Sequence, residues 1–374
     1  MTDDVVRAWA YLSRVAEPPC PALKALVARV GAVEAADRVR RGQAGDAVNE
    51  GVEARRHIDS AARDLELLAA MGGRLVTPDD DEWPVLAFSG FGGIEGRLRP
   101  QAHPPMVLWV VGPARLDEAA ARAAAVVGTR AATAYGEFAA SELAAGLATR
   151  DVAVVSGAAF GIDGAAHRSA LAADGLTAAV LAGGIDVPYP AGHSSLLRRI
   201  AEDGVLITEY PPGVRPARHR FLTRNRLVAA LAGATVVVEA GARSGAANTA
   251  AWARGLGRAV CAVPGPITSS ASVGCHALLR DGAFLVTRAE DVVELVGRIG
   301  ELAPEEPRAA SPLDDLDDTD KRVYDALPAR AARNLDEIAM AAGLPARQVL
   351  GPLATLELCG LVRSRDGRWK RALR

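Results

Sequence analysis

Six short, almost wholly apolar runs constrain this chain more than any other feature. They read AAAVVG, VAVVSG, TAAVLAGG, GVLITEY, ATVVVEA and RAVCAVPG, beginning at Ala123, and most are separated by segments long enough for an amphipathic helix. A strand with no polar alternate is covered on both faces. Strand and helix in alternation then predict an α/β fold with a doubly wound parallel sheet. Right-handed crossovers place all the strand-to-helix loops along one edge of that sheet.

Flanking segments have a different grain. Val5, Val6, Trp9, Leu12 and Val15 recur at helical spacing, as do Leu23, Leu26, Val27 and Val30, with PPCP between the two sets. A third helical stretch ends at Leu65, Leu67 and Leu68, before Gly72-Gly73. Residues 1–73 therefore read as a helical domain. Residues 74–105, with PDDDEWP and a glycine-rich stretch, read as an extended connector whose final apolar run (HPPMVLWVVG) enters the sheet domain, 106–300, as a strand. The acidic, proline-containing stretch that opens ELAPEEP reads as a linker over 301–319. In the last segment, 320–374, KRVYDAL, LDEIAMAAG and PARQVLGPLATLELCG predict three helices, and VRSRDGRWK predicts a hairpin around Asp366-Gly367. Three helices and a hairpin make a winged-helix domain.

With a formal net charge of −2 and 24% charged residues, the chain is not one that coats nucleic acid by bulk attraction, so any anion-binding patch must be local. Its four cysteines, Cys20, Cys261, Cys275 and Cys359, show no paired or metal-finger spacing and read as reduced thiols, two of them in the central core. The acidic start MTDDVV lacks the layout of a signal peptide. No apolar run approaches the roughly 20 residues of a membrane span. These features predict a cytoplasmic protein without metal or membrane attachment.

The loops on the shared edge are rich in glycine: VGTR (127–130), SGAAFGID (156–163), AGGIDVPYP (182–190) and ARSGAANTA (242–250). Glycines make tight turns, and they also let backbone N–H groups and helix N-termini approach phosphate. Four such loops on one edge favour a phosphate-bearing ligand. None has the spacing of a dinucleotide or ATP loop. PPGVRPARHRFLTRNRLVAALAG carries Arg215, Arg218, Arg220, Arg224 and Arg226 with His219 and no acidic residue, and Phe221 sits in the middle. Arginines beside an aromatic ring suit single-stranded nucleic acid. A solvated basic loop anchored by Phe221 fits the same residues, and Arg130, at the end of the first run, tips the balance towards binding.

Catalytic chemistry would need a convergent acid, base or nucleophile. Ser156, Asp163 and His167 come nearest, but Asp163 also suits the first turn of a helix, with His167 as its i, i+4 partner. Asp186 and Tyr189 read as loop-fixing residues. The six histidines are scattered, so no cofactor or metal site is expected. In the winged-helix segment the candidate recognition helix has only Arg347, whereas the wing has Arg363, Arg365, Arg368, Lys370 and Arg371. The helix thus reads as a protein-contact surface.

Taken in order, VGTR…YG, SGAAFGIDGAAH, TAAVLAGGIDVPYP, ITEYPPG, FLTRNRLVAALA, VVVEA…SGAANTA, AVPG and GCHALLRDGA resemble the DprA/Smf family (DNA-processing protein A) over 106–290. The helices before and the winged helix after match that family's layout, with an N-terminal SAM-like helical domain and a Rossmann-like central domain. The resemblance implies a non-catalytic protein that binds single-stranded DNA, forms a homodimer, and loads the RecA recombinase during natural transformation. It assigns DNA contacts to Arg130, Arg224 and Arg226, a base contact to Phe221, and close backbone approach to Gly128, Gly157 and Gly161. Thr129, Ser156, Arg218, Asn225, Ser244 and Gly245 complete the expected DNA-binding set. Phe160 stands where the family commonly has arginine, His276 where asparagine is frequent, and SGAANTA replaces SGSLITA. Two other readings compete: a Rossmann-like nucleotide hydrolase, and a ligand-sensing regulator with a winged-helix reader. The hydrolase needs a glutamate after the loop glycines, where this chain has only Glu239 before them.

Overall fold

The computed structural model of the chain describes residues 3–94, 100–242, 244–297, 300–302, 313 and 316–372. These fall into two compact units, 1–303 and 304–374. Most of the expected acidic linker lies outside the described residues.

The first unit is built on nine strands: β1 (Gly73–Val76), β2 (Leu108–Val111), β3 (Ala123–Val127), β4 (Ala153–Ser156), β5 (Thr177–Val180), β6 (Val205–Thr208), β7 (Ala234–Val237), β8 (Ala259–Ala262) and β9 (Phe284–Leu285). They lie in the order β1-β2-β6-β5-β4-β3-β7-β8-β9. β3 to β9 are mutually parallel, as the apolar runs predict. β2 is antiparallel to β6, and β1 to β2. β1 and two short helical turns occupy the segment expected to be an irregular connector. The four-residue GRLV is too short to show a period, and its place depends on close approach: a side chain at Gly73 would come within 2.7 Å of the Val110 carbonyl.

Alternation along each strand divides the core. Ala123, Ala125 and Val127 of β3 belong to one face, and Ala124 and Val126 to the other. Five helices, not three stretches, precede the sheet: α1 (Asp3–Val15), α2 (Pro21–Val30), α3 (Ala32–Arg41), α4 (Asp46–Val52) and α5 (Ala61–Ala70). α3 buries Ala32, Ala35, Ala36 and Val39, a helical stripe of small residues that a search for large aliphatics passes over. These helices share one core with Trp109 and Val111 of β2 and Leu206 of β6. α6 (Val85–Ser89) contributes Phe88 to the opposite face, as α7 (Leu116–Ala121) contributes Leu116. α8 (Ala134–Ala148) and α9 (Ile162–Ala172) cover the centre of the second face, and α10 (Ser194–Asp203) packs beside the N-terminal helices. α11 (Arg218–Ala230), α12 (Gly245–Gly255) and α13 (Val273–Arg280) cover the first face, and α14 (Ala289–Val296) returns to the second.

Cys261 and Cys275 are buried, as expected, and burial pushes their thiols up to about 12 and about 11. Such thiols stay protonated and unreactive at neutral pH. Among the described residues no helix is long and apolar enough to cross a membrane.

In the second unit α15 (Asp318–Ala326), α16 (Leu335–Ala342) and α17 (Ala346–Leu358) precede the hairpin of β10 (Val362–Arg365) and β11 (Arg368–Arg371). Asp366 and Gly367 both have positive φ, as a two-residue hairpin turn of the I′ type requires. Val323, Ile338, Val349, Leu353 and Leu356 form its core. Leu350 and Leu358 of α17 remain exposed, as do Arg363, Arg365 and Arg368 of the wing.

Candidate nucleic-acid interface

β3 pairs with β4 on one side and β7 on the other, so the chain changes winding direction at β3. Loops after such strands diverge and leave a crevice at their C-terminal ends. An open cleft of about 920 Å³ lies there. Gly128, Thr129 and Arg130 enter it after β3, Gly157 after β4, and Ser244 and Gly245 from the start of α12. Arg218, Phe221, Arg224 and Asn225 enter from α11. Ten of the thirteen expected residues thus meet in one cleft. Ser244 caps α12 by accepting the Ala247 N–H at 3.2 Å, which leaves Gly245 exposed at the helix start.

α11 begins Arg218-His219-Arg220 with no acid in its first turn. The positive end of a helix macrodipole disfavours cations there, so this arrangement needs an anion nearby. Glu17, at the end of the first helix, meets part of that need. It accepts Arg220 Nε at 2.7 Å and Nη2 at 2.9 Å, and lies 3.3 Å from His219 Nε2 and 2.9 Å from Arg55 Nη1. Arg218 makes no ion pair among the described residues, and neither does Arg130. Both are exposed. The basic segment carries no acid of its own, and its partner lies about 200 residues away.

Burial alone would raise the Glu17 carboxyl, but hydrogen bonds from Arg220, Arg55 and His219 outweigh it and bring it from 4.5 to about 2. A carboxyl held lower in the folded chain than in the unfolded one stabilises the fold above the unfolded value, and that contribution is lost as pH falls through the folded one. Glu17→Gln should therefore be less stable than the parent at neutral pH. The gap should narrow below about 4.5 and close near 2. Urea unfolding of both proteins along this pH range checks it, and a gap independent of pH would show that the charge is not what matters.

Arg224 is almost wholly buried at the cleft floor. Its Nη1 donates to the Gly157 carbonyl at 2.7 Å and to the Val180 carbonyl, tying the ends of β4 and β5 together. A side chain at Gly157 would meet the guanidinium at 2.5 Å. Asp163 accepts the N–H groups of Gly157 (3.1 Å) and Ala159 (3.3 Å). Burial raises the Asp163 carboxyl, and the neighbouring Arg224 charge opposes that shift. Burial brings Arg224 down to about 10, so it stays charged at neutral pH. Asn225 joins α11 to α12 through the Gly245 carbonyl (3.3 Å) and Asn248 (3.2 Å).

Arg226 does not reach the cleft. Two residues along a helix turn the side chain by roughly 200°, so Arg224 and Arg226 point to opposite sides of α11. Arg226 is 0% exposed and donates to Glu209 at 2.7 Å, with its guanidinium 5.8 Å from the Phe91 ring. Expected at the DNA site, its guanidinium is instead held in a buried ion pair away from the cleft lining. Ser156 is also buried, donating to the Val126 carbonyl at 2.6 Å. Gly161 is absent from the cleft wall because its work is steric: its φ is +73°, and a side chain there would strike the Thr129 and Arg130 carbonyls.

The aromatic side of the cleft is richer than the sequence suggested. Phe221 lies 5.3 Å from the Tyr189 ring, and the Arg130 guanidinium sits 5.1 Å from the Phe221 centroid. Tyr189, expected only to fix its loop, is exposed and lines the cleft. Its place in GGIDVPYP on the same edge was the available signal. Asp186 does fix its loop, accepting the Gly213 N–H at 2.7 Å. His276, where the family frequently has asparagine, sits 3.0 Å from the Gly265 carbonyl.

The groups nearest to a catalytic set are engaged otherwise. His167 is buried against Thr177 Oγ1 at 2.7 Å rather than against Asp163, and burial brings it down to about 3, so it is neutral. Glu239 is buried and accepts the Thr133 N–H (2.9 Å) and hydroxyl (2.6 Å), fixing the start of α8. Among the described residues no group of histidine, cysteine or carboxylate side chains is arranged to hold a metal ion.

Residues 74–297 match the family model of DNA recombination-mediator protein A, and 306–368 match the DprA winged-helix domain. A DprA relative from Mycobacterium tuberculosis is 70% identical over 99% of this chain and 95% of its own length. The protein Smf of Escherichia coli is 37% identical over 67% of this chain and 68% of its own. Among solved structures, DNA processing protein A of Streptococcus pneumoniae superposes with a TM-score of 0.64 at 29% identity, covering 79% of this chain and 99% of that one. The Helicobacter pylori protein, described for its single-stranded DNA binding mode, gives 0.50 at 26% identity over 59% and 94%.

Proposed function

The chain belongs to the DNA recombination-mediator protein A family, and on that premise we propose that its cleft grips single-stranded DNA without turning it over. One observation carries this reading: the exposed cations Arg130 and Arg218 line the same open, glycine-floored cleft as the Phe221–Tyr189 ring pair, with Arg130 over the Phe221 ring. Cations pair with the phosphates that every nucleotide has, and a ring stacks on the base that only an unpaired strand presents. A duplex withholds its bases. Among the described residues the candidate acid and base near the loops, Glu239 and His167, are tied into the fold, which favours binding over hydrolysis. The family reading adds homodimerisation and delivery of the bound strand to the RecA recombinase.

Titration of the purified protein with a labelled single-stranded oligonucleotide, matched duplex and free nucleotides tests the proposal. The single strand should bind tightest, with no release of base or phosphate. Preference for duplex or a free nucleotide would sink it. A chain ending at residue 303, where the first compact unit ends, should keep the parental single-strand affinity, since every cleft residue lies within that unit. Loss of most binding on this truncation would move part of the DNA site to the winged helix.

A further inference from the structure

We propose that Phe160 is a second base-stacking platform, over which a single strand leaving Phe221 continues towards Arg168. This rests on the single-strand reading of the cleft and extends it beyond the residues that line it. Phe160 is 48% exposed although it belongs to the tight loop after β4. It directly follows Ala159, a cleft residue, so its backbone lies about 3.8 Å further along the chain.

The loop is held in a shape that keeps the ring outward. Ala158 and Gly161, on either side, both have positive φ (58° and 73°). Asp163 accepts the Ala159 N–H, and a His193 ring nitrogen lies 3.1 Å from the Ala158 carbonyl. The ring itself packs against His193, with centroids 4.7 Å apart and planes at 70°. It also rests against Gly192, where a side chain would come within 3.1 Å of it. The phenylalanine is therefore oriented by its neighbours while much of its surface stays in water.

An exposed phenylalanine forgoes the burial that a core residue gains. With no hydrogen-bonding group, it can recognise only an apolar or π surface. A lone ring is too small for a protein-docking patch, but it suits the face of an unpaired base. Tyr189 leads to His193 through Pro190 and the turn Ala191–His193, so one loop links the Phe221–Tyr189 pair to the Phe160–His193 pair. Arg168, exposed on α9, supplies the cation. A side chain at Gly164 would meet both His193 Cε1 (2.6 Å) and Arg168 Nη1 (3.1 Å), which places the guanidinium beside the same histidine. Rings for two bases, with an arginine near the second, make a path for successive nucleotides.

Parent, Phe160→Ala, Phe160→Trp and Phe221→Ala proteins are titrated with a labelled oligothymidine at several salt concentrations. Phe160→Ala should lose roughly tenfold in affinity with an unchanged salt slope, and Phe160→Trp should stay within about twofold of the parent. Thermal unfolding of Phe160→Ala should match the parent, because the ring is half exposed. Parental affinity in Phe160→Ala, beside a loss in Phe221→Ala, overturns this inference and leaves the cleft reading standing. A parent that does not prefer the single strand overturns both. A loss that tryptophan fails to restore, or that comes with a flattened salt slope, assigns Phe160 a role other than stacking and overturns the inference as well.

Discussion

Replacing Arg226 with alanine should destabilise the first unit by about 3–5 kcal/mol, because it strands Glu209 as a buried, uncompensated charge. Glu209 is 4% exposed, and Arg226 is its 2.7 Å partner. Lys24, another cation that feels the Glu209 charge, is a weak substitute. Burial disfavours its charged form, and the Arg226 charge does so too, while Glu209 acts the other way. The pair joins α11 to the segment before β2, since the Arg226 guanidinium also lies over Phe91. Removing both charges at once, as Arg226→Met with Glu209→Leu, should recover most of the loss, since two apolar groups leave nothing unpaired. Urea unfolding of the single and double variants measures both quantities. At a temperature where Arg226→Ala remains folded, its single-strand affinity should stay near the parental value, because the side chain does not line the cleft. An Arg226→Ala protein as stable as the parent would mean that the buried pair does not anchor the helix.

Arg224 and Arg226, one residue apart in RNR, also show what sequence can and cannot carry. The parallel strands were legible because unbroken apolar runs have one physical explanation, coverage on both faces. The shared edge followed from crossover handedness, and ten expected site residues meet there. Whether Arg224 and Arg226 share a side of α11 was legible in principle from the 3.6-residue turn. What each one meets was not, because Glu209 follows a different strand and carries no local mark. Glu17 is the same case: an acid in the first helical region that neutralises Arg220 across most of the chain. β1 was hidden because four residues do not establish a period and its glycine is required by packing against Val110. Tyr189 has the local marks of a loop residue, and nothing local says that its ring turns towards Phe221. Patterns that repeat along the chain were readable. Pairings across it needed the fold.

Within the cleft, the cations and the ring should separate by their response to salt. Arg130 and Arg218 are exposed and without ion pairs among the described residues, so a phosphate can take either without displacing a protein partner. Replacing one with alanine removes one phosphate contact and its released counterions. Binding should weaken for every sequence alike, and the slope of log affinity against log salt should become shallower by about 0.7. Phe221→Ala removes a ring and no charge. It should cost about 1–3 kcal/mol and leave the slope as it was, since stacking releases no counterions. Arg130 sits over the same ring, so Phe221→Ala also frees its guanidinium, and the double variant should lose less than the sum of the singles. Arg224→Ala should combine weaker binding with lower stability, because its Nη1 holds the Gly157 and Val180 carbonyls together. The control is Arg41→Ala, an exposed cation on α3 paired with Asp37 and far from the sheet edge in sequence, which should behave like the parent. Titrations of matched single strands and duplex across a salt series read all of these at once. If Arg130→Ala and Arg218→Ala both keep the parental slope, the phosphates are held elsewhere and the cleft is not the DNA site.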